Sequence, residues 1–224
     1  MIKKVLFTAM AAALVVSCVS EQKGEAAKDN GAAERATVDA KLEEMGVTKP
    51  TDEPATSGDI VYVDMAYLTI SSKLTLVEGA VLEDKYKAYE QERTNVETSL
   101  STKEQAFAAE AAKIQEDYER TLITSITYQQ KGEDLQRRYA EFQTTVQNEA
   151  DKLMKMEQAI LNEQQVLSTR FTTLLKMAVD NINSDKKYKM VVTNDVIISA
   201  DESLNISAIV LAEMDRLYDE GALK

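Results

Sequence analysis

Residues 139–174 read YAEFQTTVQNEADKLMKMEQAILNEQQVLSTRFTTL, and steps of seven from Tyr139 bring Val146, Leu153, Ile160, Leu167 and Leu174 into one unbroken apolar column. A seven-residue repeat sustained over that length keeps one face of an α-helix against a partner helix, so the segment predicts a coiled-coil arm. The companion column is mixed: Leu135, Phe142, Met156 and Met177 are apolar, whereas Glu149, Glu163 and Arg170 interrupt it. An earlier column runs Tyr86, Arg93, Leu100, Phe107, Ile114. Two such stripes predict two helices zipped into an antiparallel hairpin with charged, wet outer faces. The composition agrees, because residues 80–220 hold no proline and a single glycine, Gly132. Two sites compete for the hairpin tip. Gly132 gives nearly equal arms, and the β-branched run Thr121–Thr127 offers Thr124 or Ser125 as a helix cap.

Outward from this arm, the period of the pattern changes from helical to two. Ile60-Val61-Tyr62-Val63-Asp64-Met65 follows Gly58 as a short β-branched run, predicting a strand at 60–65. Tyr188-Lys189-Met190-Val191-Val192-Thr193 predicts another at 188–193, and Asn194-Asp195 followed by 196–200 predicts a two-residue hairpin into a third. A last helix over about 207–219 carries Ile209, Val210, Met214 and Leu217 at helical spacing, with Ser207 as its cap. The fold class expected is therefore mainly α with a small β base: a helical arm over about 66–185 projects from a small sheet-containing base, which would gain from oligomerisation.

The front of the chain is different in kind. Lys3 and Lys4 precede an apolar run from Val5 to Val16, too short to span a bilayer, and Ser17 stands before the only cysteine, Cys18. Val15-Val16-Ser17-Cys18 resembles a bacterial lipobox. Residues 1–17 then form a signal peptide, and Cys18 carries the lipid that holds the mature chain on a membrane. Residues 18–58 hold both prolines, Pro50 and Pro54, four of the seven glycines and few large apolar residues, so they are expected to be a flexible tether. A short helix over Val38 to Met45 is possible there, with little to pack against.

Residues 59–224 resemble the Skp/OmpH family of periplasmic chaperones. The pieces that carry the resemblance are Ile60-Val61-Tyr62-Val63-Asp64 near the start, Tyr188-Lys189-Met190-Val191-Val192 near the end, and Leu204-Asn205-Ile206-Ser207 before the final helix. The resemblance implies a homotrimer joined through its bases, with three arms around a cavity for unfolded outer-membrane proteins, in the periplasm. This body departs from well-known members in being acidic, with 14 basic against 20 acidic residues from Ala66 to Asp185, and in carrying Cys18.

Charge and composition exclude several classes of function. The formal net charge of -12 becomes -14 once Lys3 and Lys4 are removed, which disfavours nucleic acid as a partner. Lys186, Lys187 and Lys189 form the one compact basic run, read as a solvated loop. With no histidine and one cysteine, Ser-His-Asp and Cys-His catalysis and the usual zinc sites are ruled out, so no catalytic, cofactor or metal residue is expected. Holding an unfolded client needs only exposed apolar surface, and Leu122, Ile123, Ile126 and Tyr128 beside the expected tip are the candidates. The competing reading is a structural coiled-coil lipoprotein of the envelope without unfolded clients. It requires a continuously zipped seam.

Overall fold

A computed structural model describes residues 30–50 and 58–223. Their elements are α1 (Asn30–Glu44), β1 (Gly58–Val63), α2 (Met65–Ser71), a π-helical turn (Thr75–Gly79), α3 (Ala80–Glu119), α4 (Ser125–Ile182), β2 (Tyr188–Thr193) and α5 (Ser207–Asp219), with short 3-10 turns at Asn194–Val196 and Glu202–Leu204. Cys18 and the signal segment 1–17 lie outside the described residues.

The base forms because the two ends of the body meet. β1 and β2 pair in parallel, with Ile60 opposite Met190 and Val61 opposite Val191. A parallel pair needs a long crossover, and here the crossover is the entire helical arm. Asp64 ends β1 by capping α2, its Oδ1 accepting the Tyr67 amide at 3.0 Å. The Asp64 amide in turn donates to Ser207 Oγ at 2.7 Å, while the Ser207 hydroxyl and amide both donate to Asn205 Oδ1, at 2.6 and 3.0 Å. The Ile206 amide closes the knot on the Tyr62 carbonyl at 2.9 Å. Ser207 is thus the first residue of α5, and Asn205 does the capping expected of it. Around this polar knot the fully buried side chains Val61, Leu68, Leu74, Leu174, Ile206, Val210 and Met214 form the core.

Two expectations about the base are corrected. Residues 196–200 form no strand: Asn194–Val196 makes a 3-10 turn, the Asn194 side chain accepts the Met65 amide at 3.3 Å, and Val196 and Ile198 stand exposed. Asn194 and Asp195 are taken up by that 3-10 turn and its contact to Met65 instead of a two-residue hairpin turn, so 196–200 is not returned along β2. The tether expected over 18–58 does not hold for residues 38–50, since Leu42 is 3% exposed within the core cluster, with Val38 and Val47 packed beside it. The helix there has something to pack against after all.

The arm is a two-helix hairpin. α3, with 40 residues, rises about 60 Å, and α4, with 58, about 87 Å. Its tip is the turn Arg120–Thr124. Thr121 takes a left-handed φ of 57°, the Leu122 amide donates to the Asp117 carbonyl and the Thr121 amide to the Tyr118 carbonyl, so α3 ends in a Schellman motif. Thr124 Oγ1 then caps α4 by accepting the Thr127 amide at 3.2 Å. Gly132 lies inside α4, where an added Cβ would meet nothing within 4 Å. The stripe of α3 also differs from the expected column: Tyr86 and Arg93 are exposed, and the residues turned from solvent are Leu82, Tyr89 and Val96, then Leu100, Phe107 and Ile114. The step from Val96 to Leu100 is four, an ordinary step of a seven-residue repeat, so the apolar contact passes from one column of the seam to its companion without a change of frame.

Candidate functional surfaces

Three surfaces have the chemistry to hold a partner: the seam of the arm, its tip and the outer face of the base. In the seam, two of the polar residues that interrupt the companion column are partners across the hairpin. Glu163 binds Lys85 Nζ at 2.6 Å and Arg170 binds Glu78 at 2.7 Å, a step of seven on the outgoing side being answered by seven back along α4. Glu110–Arg138, 25 residues on from Lys85–Glu163 in each helix, keeps the same register, and Lys152 pairs with Glu92 between them. Such exposed pairs set register more than they add stability. The hydrogen bond from Arg138 holds the Glu110 carboxyl below its ordinary range. Phe107 sits beside this pair against Tyr139 and Phe142, with ring centroids 5.6 and 5.4 Å away and the Arg138 guanidinium 5.9 Å over its ring.

Glu149 alone of the three interruptions lacks a cross-arm partner. One of its carboxylate oxygens is shielded from solvent without a hydrogen bond, and the nearest cation, Lys152 Nζ, is 3.8 Å away and bound to Glu92. It lies between the Glu92–Lys152 pair and the Phe107–Phe142 contact.

At the tip the four sequence candidates divide. Leu122 and Ile126 are each 66% exposed, while Ile123 is half-buried. Tyr128 is committed to the hairpin, stacked on Tyr118 at 4.5 Å with its hydroxyl donating to Gln115 at 2.8 Å. Further apolar side chains stand exposed along the arm at Val81, Tyr86, Met154, Leu161 and Val166, spaced among charges. The sequence reading missed the outer face of the base, where Ile60 and Met190 share one register position and stand exposed, as do Val196 and Ile198 in the segment that follows β2. Alternation in the strands held the clue, since Val61 and Val63 face inwards and leave Ile60 facing out. The lysine run is partly engaged, with Lys187 Nζ 5.0 Å over the Tyr188 ring. Among the described residues no helix is long and apolar enough to cross a membrane.

Residues 59–214, from the opening strand through most of α5, match the model of the family described as outer membrane protein (OmpH-like). The chain belongs to the OmpH-like family. This is a family of periplasmic chaperones, and the match begins at the opening strand and takes in the Asp64–Ser207 knot and the whole arm. A crystal structure of a candidate outer membrane chaperone (OmpH-like) from Caulobacter crescentus is 18% identical, with a TM-score of 0.45 over 75% of this chain and 90% of that one. No curated protein matches the chain. For an OmpH-like body, the hairpin and the two-stranded base are the expected parts, and the three surfaces above are what this member adds in detail.

Proposed function

We propose that this OmpH-like chain is an ATP-independent periplasmic holdase that binds unfolded outer-membrane proteins and keeps them from aggregating. It acts as a homotrimer joined at the bases and is held at a membrane by lipid on Cys18. The observation that carries the reading is the set of apolar side chains left exposed along the arm and at its tip, from Val81 and Tyr86 to Leu122 and Ile126 and back to Met154, Leu161 and Val166. Each contact is weak alone, but an unfolded strand with alternating apolar residues engages many at once. A holder present at a hundred times its dissociation constant shifts a client by about 2.7 kcal/mol towards the unfolded state, with no nucleotide consumed. The trimer is supported by Ile60, Met190, Val196 and Ile198, apolar side chains of the base that stand exposed among the described residues.

The second reading, a structural envelope lipoprotein, draws support from the cross-arm ion pairs, which close the seam at Glu163 and Arg170. One experiment separates the two. A urea-denatured β-barrel protein is diluted with and without the chain, and light scattering is followed. A holdase suppresses scattering near one trimer per client, and the double substitution Leu122→Ser, Ile126→Ser weakens the suppression. Unchanged scattering at tenfold excess sinks the holdase and leaves the structural role.

A further inference from the structure

Upstream of the family match, the chain makes a hook on the base. α1 ends at Gly46, whose φ of 66° sets a Schellman turn: the Val47 amide donates to the Leu42 carbonyl at 2.9 Å and the Gly46 amide to the Glu43 carbonyl at 3.1 Å. That motif brings the residue after the glycine back onto the residue four before it. Here the pair is Val47 and Leu42, and both pack into the core cluster of the base. An ion pair between Lys49 and Asp39, at 2.7 Å, folds the following residues along the helix, and Pro50 is buried at the end of the turn. Leu42 fills the core as completely as Val63 does, although it lies 17 residues before the family match begins.

We propose that residues 38–50 are a hook that clips the N-terminal segment to the base and fixes the length of spacer between the anchored end and the arm. The hook itself stands on the contacts above, and its role as a spacer stop rests on lipid being carried by Cys18. With the hook docked, about 12 residues separate Cys18 from the start of α1 and about eight helical residues lead on to Val38, a span of at most about 55 Å. With it released, about 40 residues separate Cys18 from Gly58, and the limit rises to about 140 Å. α3 rises about 60 Å, so release moves the base by more than one arm length at full reach. Docking therefore decides whether the base is confined near the anchoring leaflet or can range well away from it.

The test uses the full acylated chain in vesicles of phosphatidylethanolamine and phosphatidylglycerol. Hydrogen exchange of peptides covering 40–50 is expected to be at least tenfold slower than for an unstructured peptide of that sequence. Leu42→Asp removes this protection, and Gly46→Val, which leaves Leu42 in place but cannot adopt the turn without strain, reduces it. Exchange at unstructured rates in the unsubstituted chain, or protection that survives Leu42→Asp, overturns the hook. Because Cys18 is acylated, a dye on Ala212→Cys labels the base alone, and energy transfer to a lipid acceptor reports its distance from the bilayer. Leu42→Asp is expected to lower the transfer, and equal transfer in both proteins overturns the spacer role. A chain that fails to float with the vesicles refutes the anchor on Cys18, and the spacer role with it, while exchange still decides the hook.

Discussion

Replacing Glu149 by leucine is expected to stabilise the arm, although it removes a charged residue from an acidic, solvated hairpin. The Glu149 side chain is 33% exposed, yet one of its oxygens is cut off from water and has no hydrogen-bond partner. Full burial of such a group costs about 1–3 kcal/mol, and partial exposure brings the expected gain from its removal to about 1 kcal/mol. A leucine buried to about two-thirds at the same place adds about 1 kcal/mol of apolar transfer. Against this stands the lost attraction to Lys152 at 3.8 Å, a few tenths of a kcal/mol for so exposed a pair. The net of about 1.5 kcal/mol corresponds to roughly tenfold slower local opening. Hydrogen exchange read on peptides covering 94–104 and 144–154 measures it, with Glu149→Gln as the control that removes the charge but not the polar atoms and so gains less. Equal or faster exchange in the leucine variant, with the base unchanged, would refute the account of the seam at this point.

Four further outcomes follow from the same structure. Phe107→Ala removes a half-buried ring from the contact with Tyr139 and Phe142 and is expected to cost the arm about 2–3 kcal/mol; exchange rises in α3 and α4 around the site while peptides covering 61–70 keep their protection. Gly132→Ala, in an open stretch of helix, stabilises α4 by about 0.5–1 kcal/mol, read as slower exchange in residues 128–140. Asp215→Asn tests a pH dependence: burial raises the Asp215 carboxyl above its ordinary range, and the Lys73 amide at 2.8 Å only partly opposes it. A raised folded pKa means stability that is full below about pH 4 and is lost as pH rises through the raised value, so the asparagine variant is more stable in urea at about pH 7, with the difference closing by about pH 3.5. Met190→Asp with Ile198→Asp charges the outer face of the base and is expected to convert the proposed trimer to monomer by light-scattering mass with helicity kept; an unchanged mass refutes a subunit contact through this face.

The base is legible in the sequence because its determinants are local and chemically specific. The β-branched run from Ile60 reads as strand, although the structure ends that strand at Val63 rather than residue 65 and makes Asp64 the cap of a helix from Met65, and the Leu204–Ser207 run that carries the family resemblance proves to contain the residues that bind that turn. The segment 196–200 misleads for a general reason: a β-branched run records a preference for strand, but only a neighbour makes one, and a single sequence does not say whether that neighbour exists. The stripe of α3 is half legible: Leu100, Phe107 and Ile114 of the expected column turn from solvent, while towards the base Tyr86 and Arg93 are exposed and the companion column Leu82, Tyr89 and Val96 takes over. Ion pairs such as Glu78–Arg170 need the register of the whole hairpin before they can be named. The hook, by contrast, is written in Leu42, Gly46 and Val47, and the surrounding composition, which suggests a tether, hides it.

The distribution of buried side chains sets how the two parts of the body move. From Ala80 to Arg170, among the described residues, only Val96, Ile114 and Phe142 are buried apolar side chains, whereas Phe171, Leu174 and Ala178 at the root of α4 join the core of the base. Three buried residues spread over that length cannot make a cooperative core, so most of the arm is held by helix hydrogen bonds, half-buried seam contacts and exposed ion pairs. The base has its own core and the Asp64–Ser207 knot, neither of which depends on the arm beyond its root. Opening along the seam is therefore expected to cost less than global unfolding and to begin around Glu149, whose shielded oxygen has no hydrogen-bond partner. Under the proposed holdase role this separation has a use: the arm would yield to clients of different size while the base, the proposed subunit contact, stays folded.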